Sequence, residues 1–385
     1  MEITGRVLTD SKEIGGGQKI FTLQLVSAED INSTRTSASG SLTVASQVDV
    51  YKGQFVSLAK KNIPVQDSEF LFIDQKNIGV LGWGSVWNAG IMEKRAQILM
   101  ALKMHIRRMG AGPASLFTAL FLGVKENPKG ELFTALRRAG GAHILALSGM
   151  HLGIISFGLM FVLTRLFGKR ISFAVTLFMV LFYVFLVDAG PSLTRAVILF
   201  SLIGFLNLSG QKTDIFHILS ICFLIQILLV PDSAYMLSFQ LSYLALGGII
   251  LGSGKINRMF PGIIPGGIRG VLSASISAQF FTAPLVMYYF GVIYPVGIIS
   301  GIILVPIVTL FIWTGILGML PLPWILQNFV FRIMENLYKA IKISADIFSN
   351  FPSLGPGGAL QIGIILIVLY FVSFCLRIQY MRRLK

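Results

Sequence analysis

Four residues in one short run carry groups that could do chemistry. In GAHILALSGMHLGI (141–154), His143, Ser148, Gly149 and His151 fall within nine positions. A serine beside a histidine can form a nucleophile and its base, usually with an acid to orient the histidine. No acid stands in this run. The two histidines, eight residues apart, lie about 80° apart around a helix. They could open a metal site, but no third Asp, Glu, Cys or His is close in sequence to complete one. The same groups also serve as hydrogen-bonding glue between membrane helices.

A second constellation lies in DAGPSLTRA (188–196), where Arg195 follows Pro191 by four residues and Asp188 by seven. An arginine at the centre of a membrane helix costs about 2.5–3.5 kcal/mol on insertion scales. It must therefore reach the surface, pair with Asp188 or face a polar path. Phe239, Gln240 and Ser242 lie in the run FQLS, and Gln240, Tyr243 and Gly247 share a helix face. Ser275, Gln279 and Thr282 share another. One stripe of small and polar residues commonly means close packing. Several together point to a hydrated path, because polar groups facing lipid are unfavourable.

The elements that must position these residues follow from composition. Hydrophobic residues make up 54% of the 385 and charged ones only 13%, against about 25% charged in a soluble domain. The deficit is concentrated after residue 140. Strong apolar stretches lie at about 144–166, 171–188, 192–208, 215–230, 236–253, 270–290 and 296–319, with an eighth at 359–377. Residues 325–350 interleave Arg332, Glu335, Lys339, Lys342 and Asp346 with apolar positions, the pattern of an amphipathic helix lying along a membrane. Residues 141–385 thus read as a transmembrane domain of seven to eight spans plus this helix.

The front is different. Runs at 2–9, 19–27, 41–48, 54–60 and 70–81 have strand character, and Phe21, Leu23 and Leu25 alternate with polar Thr22 and Gln24. Five short strands suit a small OB-like β-barrel over 1–90. Residues 91–140 read as a basic amphipathic helical connector. Leu99, Leu102, Ile106 and Met109 mark its apolar face, and Lys94, Arg95, Lys103, Arg107 and Arg108 its basic one. The apolar run 113–124 is too short to span and reads as interfacial or re-entrant. The expected fold class is an α-helical polytopic membrane protein with a small N-terminal β-barrel.

The net charge of +15 suits lipid phosphate or a polyanionic cargo. The chain has no G-x-x-x-x-G-K-[ST] phosphate loop, so any nucleotide motor must be a partner. Cys222 and Cys375 lie in apolar runs and suggest no disulfide framework and no metal cluster. No metal or other cofactor is expected. Basic residues at 165–170, 212 and 255–269 alternate with connections that hold only Asp188, Asp232 or no charge. By the positive-inside tendency the front then lies outside the cell. No secretory signal opens the sequence, so the expected start of the protein lies upstream, or the chain is a reduced form.

Three ordered motifs resemble the ComEC family of competence proteins. They are LFLGVKENPKGELFTALRRAGGAHILALSGMHLGI (120–154), DAGPSLTRA (188–196) and VPDSAYMLSFQLSYLALGGI (230–249). The resemblance implies an inner-membrane channel that passes single-stranded DNA into the cell during natural transformation, without catalysis of its own. His143, Ser148, Gly149, His151, Asp188, Pro191, Arg195, Phe239, Gln240, Ser242 and Gln279 are then the motif and DNA-path candidates. The implied partners are single-stranded DNA, membrane lipids, a DNA receptor, a separate ATP-driven motor and further copies of the chain. Family members often carry a C-terminal metallo-β-lactamase-like domain. With four histidines and no His-x-His-x-Asp-His cluster, these 385 residues hold no zinc nuclease of that type. The competing reading is an intramembrane hydrolase, or a permease for another substrate, built on His143, Ser148 and His151.

Overall fold

A computed structural model describes residues 2–15, 18–29, 35–37, 41–59, 71–72, 77–82, 89–124, 130–145, 147–187, 190–355 and 357. The alternating front folds into a sheet of β1 (Glu2–Val7), β2 (Lys12–Gly15), β3 (Gln18–Glu29), β4 (Arg35–Ser37), β5 (Ser41–Ser46), β6 (Phe55–Ala59), β7 (Leu71–Phe72) and β8 (Ile78–Gly82). The main path runs β7-β5-β3-β1-β6-β8, with β2 and β4 pairing to β3. Phe21 and Leu23 point inward as their alternation requires, and pack with Ile3, Val7, Val44, Val50, Val56 and Leu58.

The expected barrel does not close. The run 70–81, read as one strand, divides in two. Leu71–Phe72 pairs parallel with β5, while Ile78–Gly82 pairs antiparallel with β6. One segment therefore supplies both opposite edges, and among the described residues no ladder joins them.

Helix α1 (Ala89–Arg107) carries the expected apolar face, with Leu99 and Ile106 buried, and Met109 is buried just past its end. That face meets protein: Tyr51 from the front joins its cluster. Next come α2 (Ala111–Phe117), α3 (Glu131–Leu136) and α4 (Ala142–Leu145), with π-helical turns at Thr118–Leu122 and Arg137–Gly141. The short apolar run is buried in the main core, where Phe117 packs against Phe311 at 6.3 Å between ring centroids. At Gly140 (φ 78°) the chain touches another helix so closely that a Cβ would lie 2.4 Å from Gly297 Cα. Only glycine permits both the left-handed turn and that approach.

Among the described residues, five helices are long and apolar enough to cross a membrane: α5 (Gly149–Val187), α6 (Pro191–Leu208), α8 (Leu237–Met259), α9 (Gly266–Phe290) and α10 (Gly297–Gly318). Helix α7 (Ile215–Leu229) is apolar but shorter. The 39 residues of α5 are broken at Gly168, whose φ of 72° and ψ of 169° are non-helical. Arg165, Lys169 and Arg170 crowd the break, all exposed. Leu152 and Ile155 from the first half share a cluster with Val180 and Tyr183 from the second. A straight helix would hold Leu152 and Tyr183 about 45 Å apart, so the halves fold back on each other. The two apolar stretches expected at 144–166 and 171–188 are these halves. The stretch expected at 359–377 lies outside the described residues.

The expected amphipathic helix is α11 (Trp324–Ser349). It runs antiparallel to α10 and packs closely against it. A short connection joins their ends on one side. On the other, Ile293 and Leu354 exchange two backbone hydrogen bonds of 3.0 and 2.8 Å. Val330, Met334, Ile341 and Ala345 form its buried face.

Candidate functional site

The three motifs converge on Arg195. Pro191 at the first helical position starts α6 after Gly190, which places Arg195 in the first turns of that helix. Its guanidinium donates to Ser242 Oγ on α8, and Ser242 also contacts Ser192 Oγ at 3.0 Å. The Tyr243 ring lies 5.6 Å from the Arg195 guanidinium carbon. From the first motif, Gly149 supplies the space: a Cβ there would lie 3.1 Å from Arg195 Nη2 and 3.1 Å from Ala196 Cβ. Arg195 is only 9% exposed, and its Nε has no hydrogen-bond partner among the described residues.

Around this cation the polar groups form a chain. Gln226 Nε2 donates to the Pro191 carbonyl at 2.8 Å, and Tyr243 Oη donates to Gln226 Oε1 at 2.9 Å. Cys222 Sγ lies 3.4 Å from Tyr243 Oη and 3.6 Å from the Arg195 carbonyl. The rings of Phe223, Phe239 and Tyr243 meet in tilted and edge-to-face contacts with centroids 4.6–5.6 Å apart. Beside them runs a groove of about 500 Å³ lined by Phe239, Gln240, Tyr243, Gly247, Gly248 and Phe281, among others. The face shared by Gln240, Tyr243 and Gly247, read from spacing, is thus the wall of this groove. Gln240 itself donates to the Ala234 carbonyl at 3.0 Å and closes the turn before α8.

The remaining candidates separate. Ser148 Oγ and His151 Nδ1 lie 3.2 Å apart, a contact within one turn, while the buried His151 Nε2 has no partner. The exposed His143 makes its hydrogen bond elsewhere, with Nδ1 3.1 Å from the Gly140 carbonyl. Among the described residues the serine–histidine pair therefore has no orienting acid and no hydrogen bond to His143. Gln279 belongs to another junction, with its Nε2 2.8 Å from where a Cβ of Gly297 would stand. Asp188 lies outside the described residues, and no carboxylate among those described pairs with Arg195. Among the described residues no three His, Cys, Asp or Glu come together as metal ligands.

Sequence reasoning missed Ser192, Cys222 and Gln226. Gln226 had a signal, as an amide inside the otherwise apolar α7. It also misplaced Arg95, which was assigned to the exposed basic face of α1. Arg95 is 2% exposed, bound bidentately to Asp10 at 3.0 and 2.6 Å. It further donates to the carbonyls of Phe185 and Leu186 at 2.9 and 2.7 Å. The guanidinium, with its fixed fork of five donors, is consumed by the join between the front sheet, α1 and the end of α5. That join sets the front sheet on the side of the bundle where α5 ends, one helix length from the basic break at Gly168.

A multi-helix membrane protein with a docked front sheet and a buried cationic centre is the class that this fold and site define. Residues 120–384, more than two thirds of the chain, match the family model described as competence protein, and the chain belongs to that family. It is the family that the three motifs resemble. The chain is 26% identical over 239 residues to ComE operon protein 3 of Bacillus subtilis (strain 168), covering 60% of this chain and 30% of that protein. It is 28% identical over 240 residues to an uncharacterized protein of Aquifex aeolicus (strain VF5), covering 60% of this chain and 54% of that one. The chain thus spans less than two thirds of either relative. No solved structure matches it.

Proposed function

We propose that the chain takes part in DNA uptake for competence, as a non-enzymatic conduit for single-stranded DNA across the bacterial cytoplasmic membrane. The observation that carries this reading is the convergence of three separate motifs on Arg195, a buried cation beside a groove with no described counter-charge. A buried guanidinium without a carboxylate is costly to keep for packing alone. A passing phosphate would supply the missing anion, and backbone charge is common to every sequence, so a strand could pass without being read. The front sheet faces outward in this reading, where incoming DNA arrives, and the basic break at Gly168 faces the cytoplasm. An ATP-driven motor, a DNA receptor and further copies of the chain are proposed partners, with lipid phosphate meeting the exposed basic residues.

The test is DNA uptake in a strain lacking the gene, complemented with this chain and scored separately for surface-bound and internalised DNA. The reading expects binding to persist without the chain and internalisation to require it. Normal internalisation in the deletion strain would overturn it.

A further inference from the structure

Helix α11 presents a stripe that lipid cannot solvate. Asn328, Arg332, Glu335, Lys339, Lys342 and Asp346 recur along one face at helical spacing, opposite the buried face of Val330, Met334, Ile341 and Ala345. Arg332, Lys339, Lys342 and Asp346 are exposed, and the ion pair of Lys339 with Glu335 at 3.6 Å is largely so. A surface helix would be a bland explanation if α11 lay in the plane of the membrane. Its packing argues otherwise. Helix α10 is among the most apolar helices in the chain and long enough to cross. Helix α11 returns antiparallel along it, joined at one end by a short connection and at the other by the Ile293–Leu354 bridge. If α10 crosses, α11 crosses with it. From Asn328 to Asp346 the stripe rises about 27 Å, close to the roughly 30 Å of the hydrocarbon core.

We propose that α11 is a membrane-crossing helix and that its charged stripe forms one wall of a water-filled passage. Water is the occupant the charges demand, since charged side chains within a bilayer face a bundle interior or an aqueous cavity. A second copy seated on the stripe fits less well. Copies in one membrane share an orientation, so a two-fold pairing would set Lys339 against Lys339 and Lys342 against Lys342. The three basic residues of the stripe also suit a polyanion, which rests on the uptake reading above.

Single cysteines at Arg332, Lys339, Lys342 and Asp346, with Leu310→Cys on the exposed apolar side of α10 as control, are exposed to a membrane-impermeant thiol reagent in intact cells and in inverted vesicles. Labelling is scored against the parent chain. The expected result is labelling of all four stripe positions, with Lys339→Cys and Lys342→Cys reached from both sides and Leu310→Cys silent. Labelling of all four from one side only would place α11 on the membrane surface and overturn the proposal. Silence at Lys339→Cys and Lys342→Cys, with the ends labelled, would mean that lipid or protein covers the stripe, and would also overturn it. Adding transforming DNA separates the two readings. Slower labelling during uptake supports both, while full labelling unaffected by DNA leaves the aqueous wall standing and counts against the strand as its cargo.

Discussion

Among the described residues two arginines are buried, and their surroundings are opposite. Arg95 has a bidentate carboxylate and two helix-terminal carbonyls. Arg195 has one hydroxyl partner, Ser242, an aromatic face, and an Nε without a partner among the described residues. The first guanidinium is satisfied within the fold, as expected of a clamp. The second is held in place by Ser242, Tyr243 and the gap at Gly149, and meets no carboxylate among the described residues. Burial alone therefore does not mark function; incomplete pairing of a well-positioned charge does so better.

The comparison breaks most visibly at Arg95. Replacing it with Met takes the guanidinium from two carbonyls and from Asp10, which keeps the Lys52 amide and is 20% exposed, so the cost is at most the about 3–5 kcal/mol of a buried pair opened on one side. The expected outcome is loss of inserted protein and release of the front sheet in limited proteolysis. Adding Asp10→Leu should restore part of the loss, because an apolar pair of similar volume removes the stranded charge. Arg195→Gln should do the reverse, keeping abundance and insertion while internalised DNA falls. Arg195→Lys should retain part of the uptake, since the charge stays and the fork geometry goes. If a pair with Asp188 were the reason for the arginine, Asp188→Asn would match Arg195→Gln and both would lower abundance.

Gly149→Ala gives a smaller effect. Its methyl would press on Arg195 and Ala196, and overpacking of this kind costs about 1–3 kcal/mol. Uptake should drop, and combining it with Arg195→Gln should cost less than the sum, as expected for residues in contact. The smallest effect is at the clamp. Burial, with the charges of Asp49 and Asp10, pushes the Tyr51 hydroxyl up from 10.0 to about 12. The fold thus favours the neutral phenol. Its contribution to docking is intact below pH 10 and is lost as pH rises through the folded value. Phenolate absorbance should appear late in the titration, and Tyr51→Phe should remove the alkaline release of the front sheet in proteolysis.

Much of this was legible in the sequence, for identifiable reasons. Alternation in FTLQL located the inward face of β3, and apolar length located the helices. Spacing alone put Gln240, Tyr243 and Gly247 on one wall. What failed was non-local. The split of 70–81 depends on which strands were free to pair, so the open sheet could not be read from strand count. Arg95 looked like one more base on a basic face, because Asp10 is 85 positions away. The contact of Arg195 with Ser242 spans 47 positions and exists only because α6 packs on α8. The motifs marked the right residues without revealing that they meet.

If Arg195 faces the strand and Arg95 does not, DNA passes beside Ser242 and away from Phe185. A photo-reactive amino acid placed at Ser242, and in a separate strain at Phe185 beside Arg95, is irradiated during uptake of labelled DNA. The account predicts a cross-link between DNA and chain at position 242 and none at 185, in cells that internalise DNA at both positions. Cross-linking at 185 alone, or uptake proceeding with no cross-link at 242, would contradict it.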